Sequence, residues 1–170
     1  DAPVWLTSPH GRVLDDAFAR ELAAVPEQII ICGHYGGVDE RVRTLITGEI
    51  SIGDYVLTGG ELAALAVIDA SSRFVPGVVG NEESVREDTF CDGLLGPPLY
   101  TRPPEFEGLE VPEVLLSGHH ANINAWRRQM KLQATFQRRP ELLEKANLSP
   151  QDIDFLSSLG YERRSKDGRT

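Results

Sequence analysis

Apolar and polar positions along the first eighty residues switch repeatedly between an extended and a helical period. "PVWLTS" (3–8) is a short apolar run, and "SPHG" (8–11) has the residues of a turn. In "RVLDDAFARELAAV" (12–25), Leu14, Phe18, Leu22 and Val25 recur at helical spacing. "EQIIIC" (27–32) is an unbroken β-branched run, which predicts a strand covered on both faces. "GHYGG" (33–37) reads as a loop and "VDERVRTLI" (38–46) as a short helix. "EISIGDYVLT" (49–58) predicts a strand, Gly59–Gly60 a turn, and "ELAALAVIDASSRF" (61–74) a helix apolar on most sides. The order β-α-β-α-β-α points to an α/β fold with an open parallel sheet and helices packed on it. Three strands leave sheet edges uncovered, which predicts a partner or further residues ahead of Asp1.

The pattern then changes. Residues 75–114 are rich in Gly, Pro and acids and hold no period, too long a stretch for an idle connection. From 117 to 140 a helical stripe returns through Ile123, Trp126, Met130 and Phe136, with Ser117 or Gly118 as cap. Pro140 starts or interrupts a further segment, and "SPQDIDFLSSLGY" carries Ser149 as N-cap, Pro150 at the first position and Gly160 as the stop. The tail "ERRSKDGRT" reads as frayed. The expected organisation is an α/β domain over 1–79, a linker and loop over 80–115, and a small helical domain over 116–170.

Composition sharpens this picture. Hydrophobic content of 41% and charged content of 25% are those of a soluble globular protein. No apolar run is long enough to span a membrane, and no signal peptide opens the sequence. Cys32 and Cys91 stand apart without CxxC spacing, which favours buried thiols in a reducing, cytoplasmic setting. The net charge of −9 hides a division. Residues 1–119 hold 7 Arg and 20 acids, whereas residues 120–170 hold 10 basic and 6 acidic side chains. The carboxyl-terminal part is thereby suited to an anionic partner.

Each predicted strand ends in a small-residue turn: "TSPHG", "CGHYGG" and "LTGG". Ligands of open α/β sheets lie outside the carboxyl ends of the strands, and glycines let main-chain groups approach them. Three such loops can converge on one planar polar molecule such as an adenosine. GxGxxG and GxxxxGK[ST] are both missing, so a dinucleotide fold or a P-loop lacks support. His10, His34, His119 and His120 do not fall at metal spacing, and neither HExxH nor GxSxG occurs. Asp88, in the irregular segment between Glu87 and Thr89, is a candidate general base if its loop closes on a substrate. Arg73 either offsets the dipole at its helix end or polarises a substrate oxygen. Arg127, Arg128, Lys131, Arg138 and Arg139 share one helix and are candidates for a nucleic-acid backbone.

The blocks "CGHYGGVDERV", "SIGDYVLTGGELAALAVIDASSRFVPGVVG", "EDTF", "LLGPPLYTRP", "VPEVLLSGHH" and "RRPELL" occur in one order over nearly the whole chain. Together they resemble the bacterial tRNA (guanine-N1)-methyltransferases of the TrmD type, in the SPOUT class. The resemblance implies a parallel sheet with a deep trefoil knot, a linker and a helical tRNA-docking domain. It implies methyl transfer from S-adenosylmethionine (SAM) to N1 of guanosine 37 of tRNA, where another guanosine precedes it. The alternative is a fragment of that family which binds SAM or RNA without turnover.

Carried over residue by residue, donor binding falls to Leu6, Ser8, Pro9, Gly33, Tyr35, Gly37, Ile52, Gly53, Tyr55, Leu57, Gly59 and Gly60. Asp88 matches the family's general base, and Arg73 the residue that steadies charge on the guanine oxygen. His119 and His120 join Arg127, Arg128, Lys131, Arg138 and Arg139 as tRNA contacts. The resemblance further implies a homodimer whose active site is shared between subunits, assistance by magnesium with no metal ligands marked in the sequence, and a family segment preceding Asp1. Gly36 stands where the family usually carries Glu, which removes one carboxylate from the second loop.

Overall fold

The computed structural model describes residues 2–80 and 88–162; Asp1, residues 81–87 within the expected linker and the tail from 163 lie outside the described residues. The chain divides into two compact units, Asp1–Val85 and Arg86–Thr170.

In the first unit, β1 (Val4–Val13) is the centre of a three-stranded parallel sheet, flanked by β2 (Ile29–Ile31) and β3 (Gly48–Ser51) in the order β2-β1-β3. Helix α1 (Asp16–Ala23) links β1 to β2, a 3-10 turn (Glu40–Thr44) links β2 to β3, and α2 (Glu61–Ser72) follows. The predicted order of elements holds, except that the second helix is a 3-10 turn, with further local corrections at β1, α1, β2 and β3. The "SPHG" turn does not end the first strand. Thr7 and Arg12 both pair with Ile50, so residues 8–11 loop out and the chain returns to the same partner. A Cβ on Gly11 would lie 2.3 Å from the carbonyl carbon of Glu49, so only glycine fits where the backbones cross. Because Arg12 and Val13 are spent on this return, α1 starts at Asp16, with Asp15 as N-cap accepting from the Phe18 N–H at 2.8 Å.

The β-branched run proves to be an edge strand rather than one covered on both faces, with Ile29 51% exposed. The third strand ends at Ser51, since the Ser51 hydroxyl accepts from the Gly53 N–H (3.2 Å) and bends the chain away. The expected helix over 38–46 is a single 3-10 stretch, started by Asp39 accepting from the Arg41 N–H.

Phe18, Leu22, Ile50 and Val67 form the buried core of this unit, joined by Trp5, Leu14, Ile30 and Ile52. Trp5 meets Phe18 edge-on at 5.7 Å. Each fully buried side chain of this size contributes roughly 1.5–3 kcal/mol. Helix α2 is apolar on nearly every side, as its sequence predicts, and only part of it is covered. Ala63, Ala64 and Val67 are buried, whereas Leu62, Leu65 and Ile68 are 63%, 59% and 51% exposed.

The second unit contains a short hairpin of β4 (Glu105–Phe106) and β5 (Leu109–Glu110), then α3 (Glu113–Leu116), α4 (His120–Arg138), a 3-10 turn (Pro140–Glu144) and α5 (Pro150–Ser158). Its core is Leu94, Leu132, Leu143, Ala146 and Leu156, with Phe136, Leu148, Phe155 and Tyr161 packed against it. Leu94 comes from the segment read as linker. The buried positions of α4 are Leu132 and Thr135, while Ile123, Trp126 and Met130 are only partly covered, so the expected stripe is displaced. His119, not Ser117 or Gly118, is the N-cap, because the Ser117 hydroxyl donates back to Val114 O. At α5 the sequence signals hold: Ser149 and Asp152 form a reciprocal capping box, Pro150 opens the helix, and Gly160 follows it with φ 89°.

Candidate active site

The carboxyl ends of the three parallel strands open on one side of the first unit, and their loops are tied together by main-chain contacts. Gly60 N–H donates to Gly33 O at 3.0 Å, and His34 bridges Gly59 in antiparallel fashion. The Thr7 hydroxyl donates to Ile31 O at 3.2 Å, joining the first loop to the second strand. These ties bring the backbones so close that a Cβ on Gly60 would stand 2.2 Å from Thr7 Oγ1 and 2.9 Å from Cys32 Cα. The glycine pair is therefore a packing requirement as well as a turn.

The three loops surround a cavity of about 440 Å³. Leu6, Ser8 and Pro9 line it from the first loop, Gly33, Tyr35 and Gly37 from the second, and Ile52, Tyr55, Leu57, Gly59 and Gly60 from the third. Of the positions assigned to donor binding, Gly53 alone is not on the wall. It forms the bend behind Tyr55, whose hydroxyl donates to Ile52 O at 3.3 Å. Sequence reasoning did not assign Thr7, Ile50, Ser51, Thr58 and Ala63, which also line the cavity. Their signal was adjacency to the glycine turns, and strand register decides which of them face inward. A hollow of similar volume, about 450 Å³, lies among Trp5, Phe18, Leu22 and Val25 and includes none of these loops.

The wall chemistry suits a molecule that is partly flat and partly polar. Leu6, Ile50, Ile52, Leu57 and Ala63 provide apolar surface, while the glycine-rich turns offer main-chain donors and acceptors. His34 Nε2 bonds to Glu61 Oε1 at the start of α2, pinning the second loop to the helix. The backbone N–H of Glu61, and next the His34 ring, hold the Glu61 carboxyl below the usual range. Burial first, and the Glu61 charge second, push the Cys32 thiol up, so it is not a ready nucleophile at neutral pH. Among the described residues no group of three or more His, Cys, Asp or Glu side chains is placed to hold a metal ion.

The remaining predicted residues are not among those that line the cavity. Arg73 caps the far end of α2 and is exposed. The 12 residues of that helix separate it from the glycine turn by about 18 Å. Asp88 begins the described part of the second unit. On α4 and its entrance, His119, His120, Arg127, Arg138 and Arg139 are exposed, and Arg139 pairs with Glu141. Arg128 and Lys131 differ. Arg128 holds Asp152 and Asp92, each at 2.8 Å, and Lys131 holds Asp92 at 2.9 Å with only 12% of its side chain exposed.

Comparison with known proteins gives a consistent result. The family model described as tRNA (Guanine-1)-methyltransferase TrmD matches residues 1–145. A tRNA (guanine-N(1)-)-methyltransferase of Moorella thermoacetica is 59% identical over 158 residues, covering 92% of this chain and 63% of the relative. Its counterpart in Dehalococcoides mccartyi is 56% identical over 167 residues, covering 98% of this chain and 67% of the relative. That of Geobacter metallireducens is 59% identical over 159 residues, covering 93% and 65%. The chain thus spans about two thirds of the length of these curated relatives. With most of its residues matched, and the three-loop cavity built from the matched part, the chain belongs to the TrmD family of tRNA (guanine-1)-methyltransferases.

Proposed function

We propose that the chain serves a SAM-dependent methyl transfer to N1 of guanosine 37 of tRNA, with a SPOUT-type knotted first unit binding the donor and the helical unit docking the tRNA. The observation that carries this reading is the single cavity lined by eleven of the twelve positions assigned to the donor. Its volume is within the range of small-molecule sites. Leu6, Ile50, Ile52, Leu57 and Ala63 would flank the donor's flat ring, and main-chain groups of the glycine turns would bond the polar edges of its adenosine and methionine parts.

When bound, SAM would supply a methyl group already activated on a sulfonium, so the chain itself needs no covalent intermediate. The protein's own task is to manage the proton and charge of a weakly acidic ring nitrogen. The Asp88 carboxylate accepts the N1 proton, and the Arg73 guanidinium faces the negative charge that gathers on the guanine oxygen. Arg73 stands a helix length away from the cavity of its own unit. This separation supports a site completed by a second copy. The exposed Leu62, Leu65 and Ile68 face of α2 supports a homodimer as well, since an uncovered apolar helix face favours association. On the helical unit, the exposed His119, His120, Arg127 and Arg138 are the groups that would meet tRNA phosphates, whereas Arg139 pairs with Glu141. Magnesium finds no cluster of ligands among the described residues and enters no step here. Among the described residues no helix is long and apolar enough to cross a membrane.

The test is methyl transfer to a tRNA carrying guanosine at positions 36 and 37, using the wild-type protein and Asp88→Asn. The reading expects wild-type transfer to N1 and a loss of about 100-fold or more in the variant, in the range of general-base removal. Wild-type rates in Asp88→Asn would refute the base assignment.

A further inference from the structure

Asp88 lies in a segment that the sequence marks as irregular, yet the structure fixes that segment to the helical unit through a continuous set of bonds. Cys91 N–H donates to Asp88 O (3.3 Å), Gly93 N–H to Phe90 O (2.9 Å), and Phe90 N–H to Leu94 O (2.8 Å), closing residues 88–94 on themselves. Thr89 Oγ1 accepts from Gly96 N–H at 3.1 Å, and Leu94 is fully buried in the core of the unit. Leu95 N–H donates to Thr135 Oγ1 (3.0 Å), whose own proton goes to Lys131 O (2.7 Å). Between these turns Asp92 Oδ2 accepts from both Arg128 (2.8 Å) and Lys131 (2.9 Å). Arg128 is itself clamped by two bonds to Asp152, which the capping box of α5 holds in turn.

We infer that Asp92, Arg128 and Lys131 are positioning residues for Asp88, forming a rigid support that carries the general base. The inference rests on the reading of Asp88 as that base. The two cations are matched by two carboxylates, Asp92 and Asp152, and Lys131 is nearly buried, so neither has a charge to spare for a phosphate. A base must be held within a fraction of an ångström of its proton, and a misplacement of about 1 Å costs up to about 100-fold in rate. Of the basic residues on α4, these two serve the chemical step and the exposed ones serve docking.

Asp92→Asn and Lys131→Met keep side-chain size and remove one charge each, and two readouts distinguish support from docking. In amide hydrogen exchange, the Phe90, Gly93 and Leu95 N–H groups should exchange about 10-fold faster in both variants, with those of α5 unchanged. In single-turnover methyl transfer the rate should fall about 10- to 100-fold, with tRNA affinity and its salt dependence unaltered, and Asp92→Glu should restore most of the rate. Weaker tRNA binding with a shallower salt slope and wild-type exchange at these amides would overturn the inference. So would an inactive Asp88→Asn beside an Asp92→Asn of full rate. Faster exchange together with a fully active Asp88→Asn would instead remove the base reading beneath it, and the positioning role with it.

Discussion

Gly60 shows how a single position binds fold and site together. Its backbone N–H holds the second loop through Gly33 O, and its missing side chain leaves room for Thr7 and Cys32. In Gly60→Ala the new Cβ would meet atoms of the first loop and the backbone of the second strand, so relief requires moving the loops themselves. A cost of about 1–3 kcal/mol is expected for such overpacking. Denaturant unfolding followed by Trp5 emission, in a Trp126→Phe background, should show that loss; an unchanged midpoint would mean that the loops yield freely. The sequence discloses this residue as a turn. The crowding around it is invisible there, because Thr7, Cys32 and Gly60 are brought together only by the register of the sheet. The same holds for Lys131: its spacing on a basic helix suggests phosphate contact, whereas its burial beside Asp92 comes from a segment 39 residues earlier.

At the scale of elements, local chemistry was most readable where it was self-contained. The α5 capping box, the α2 limits near the glycine pair and Arg73, and the parallel order of strands all follow from short stretches. Boundaries failed where a distant partner decides them, as at β1, which continues past its turn because Arg12 returns to Ile50. The α4–α5 junction permits a test of its own. Arg128, foremost, and the groups of Ser149 hold the Asp152 carboxyl below its ordinary value against the opposing effect of burial. A carboxyl depressed in the folded state contributes stability that is whole above its unfolded pKa of about 3.9 and is lost as pH falls through the lower folded value. Asp152→Asn should therefore cost about 1–3 kcal/mol at neutral pH, the worth of hydrogen bonds to charged groups. Its unfolding free energy should also decline less steeply than the wild type's below about pH 4. Denaturation at several pH values, read from Trp126 in a Trp5→Phe background, checks both; parallel pH curves for the two proteins would contradict the assignment.

At the scale of the molecule, charge is unevenly divided: the first unit is acidic, and the positive balance is confined to residues 120–170, where α4 carries its cations. On the proposed reading the three-loop cavity takes the methyl donor and α4 meets the tRNA. The motif blocks made the family legible before any coordinates, and the glycine turns made the cavity legible without it. What the sequence could not do was separate Arg128 and Lys131, which are paired with carboxylates, from the exposed cations of the same helix. The central claim is that the three-loop cavity takes the methyl donor. Calorimetric titration of SAM into the folded protein, with NAD as control, tests it most directly. The account predicts saturable binding of SAM and none of NAD; a folded protein that takes up NAD, or leaves SAM free at saturating concentrations, would contradict it.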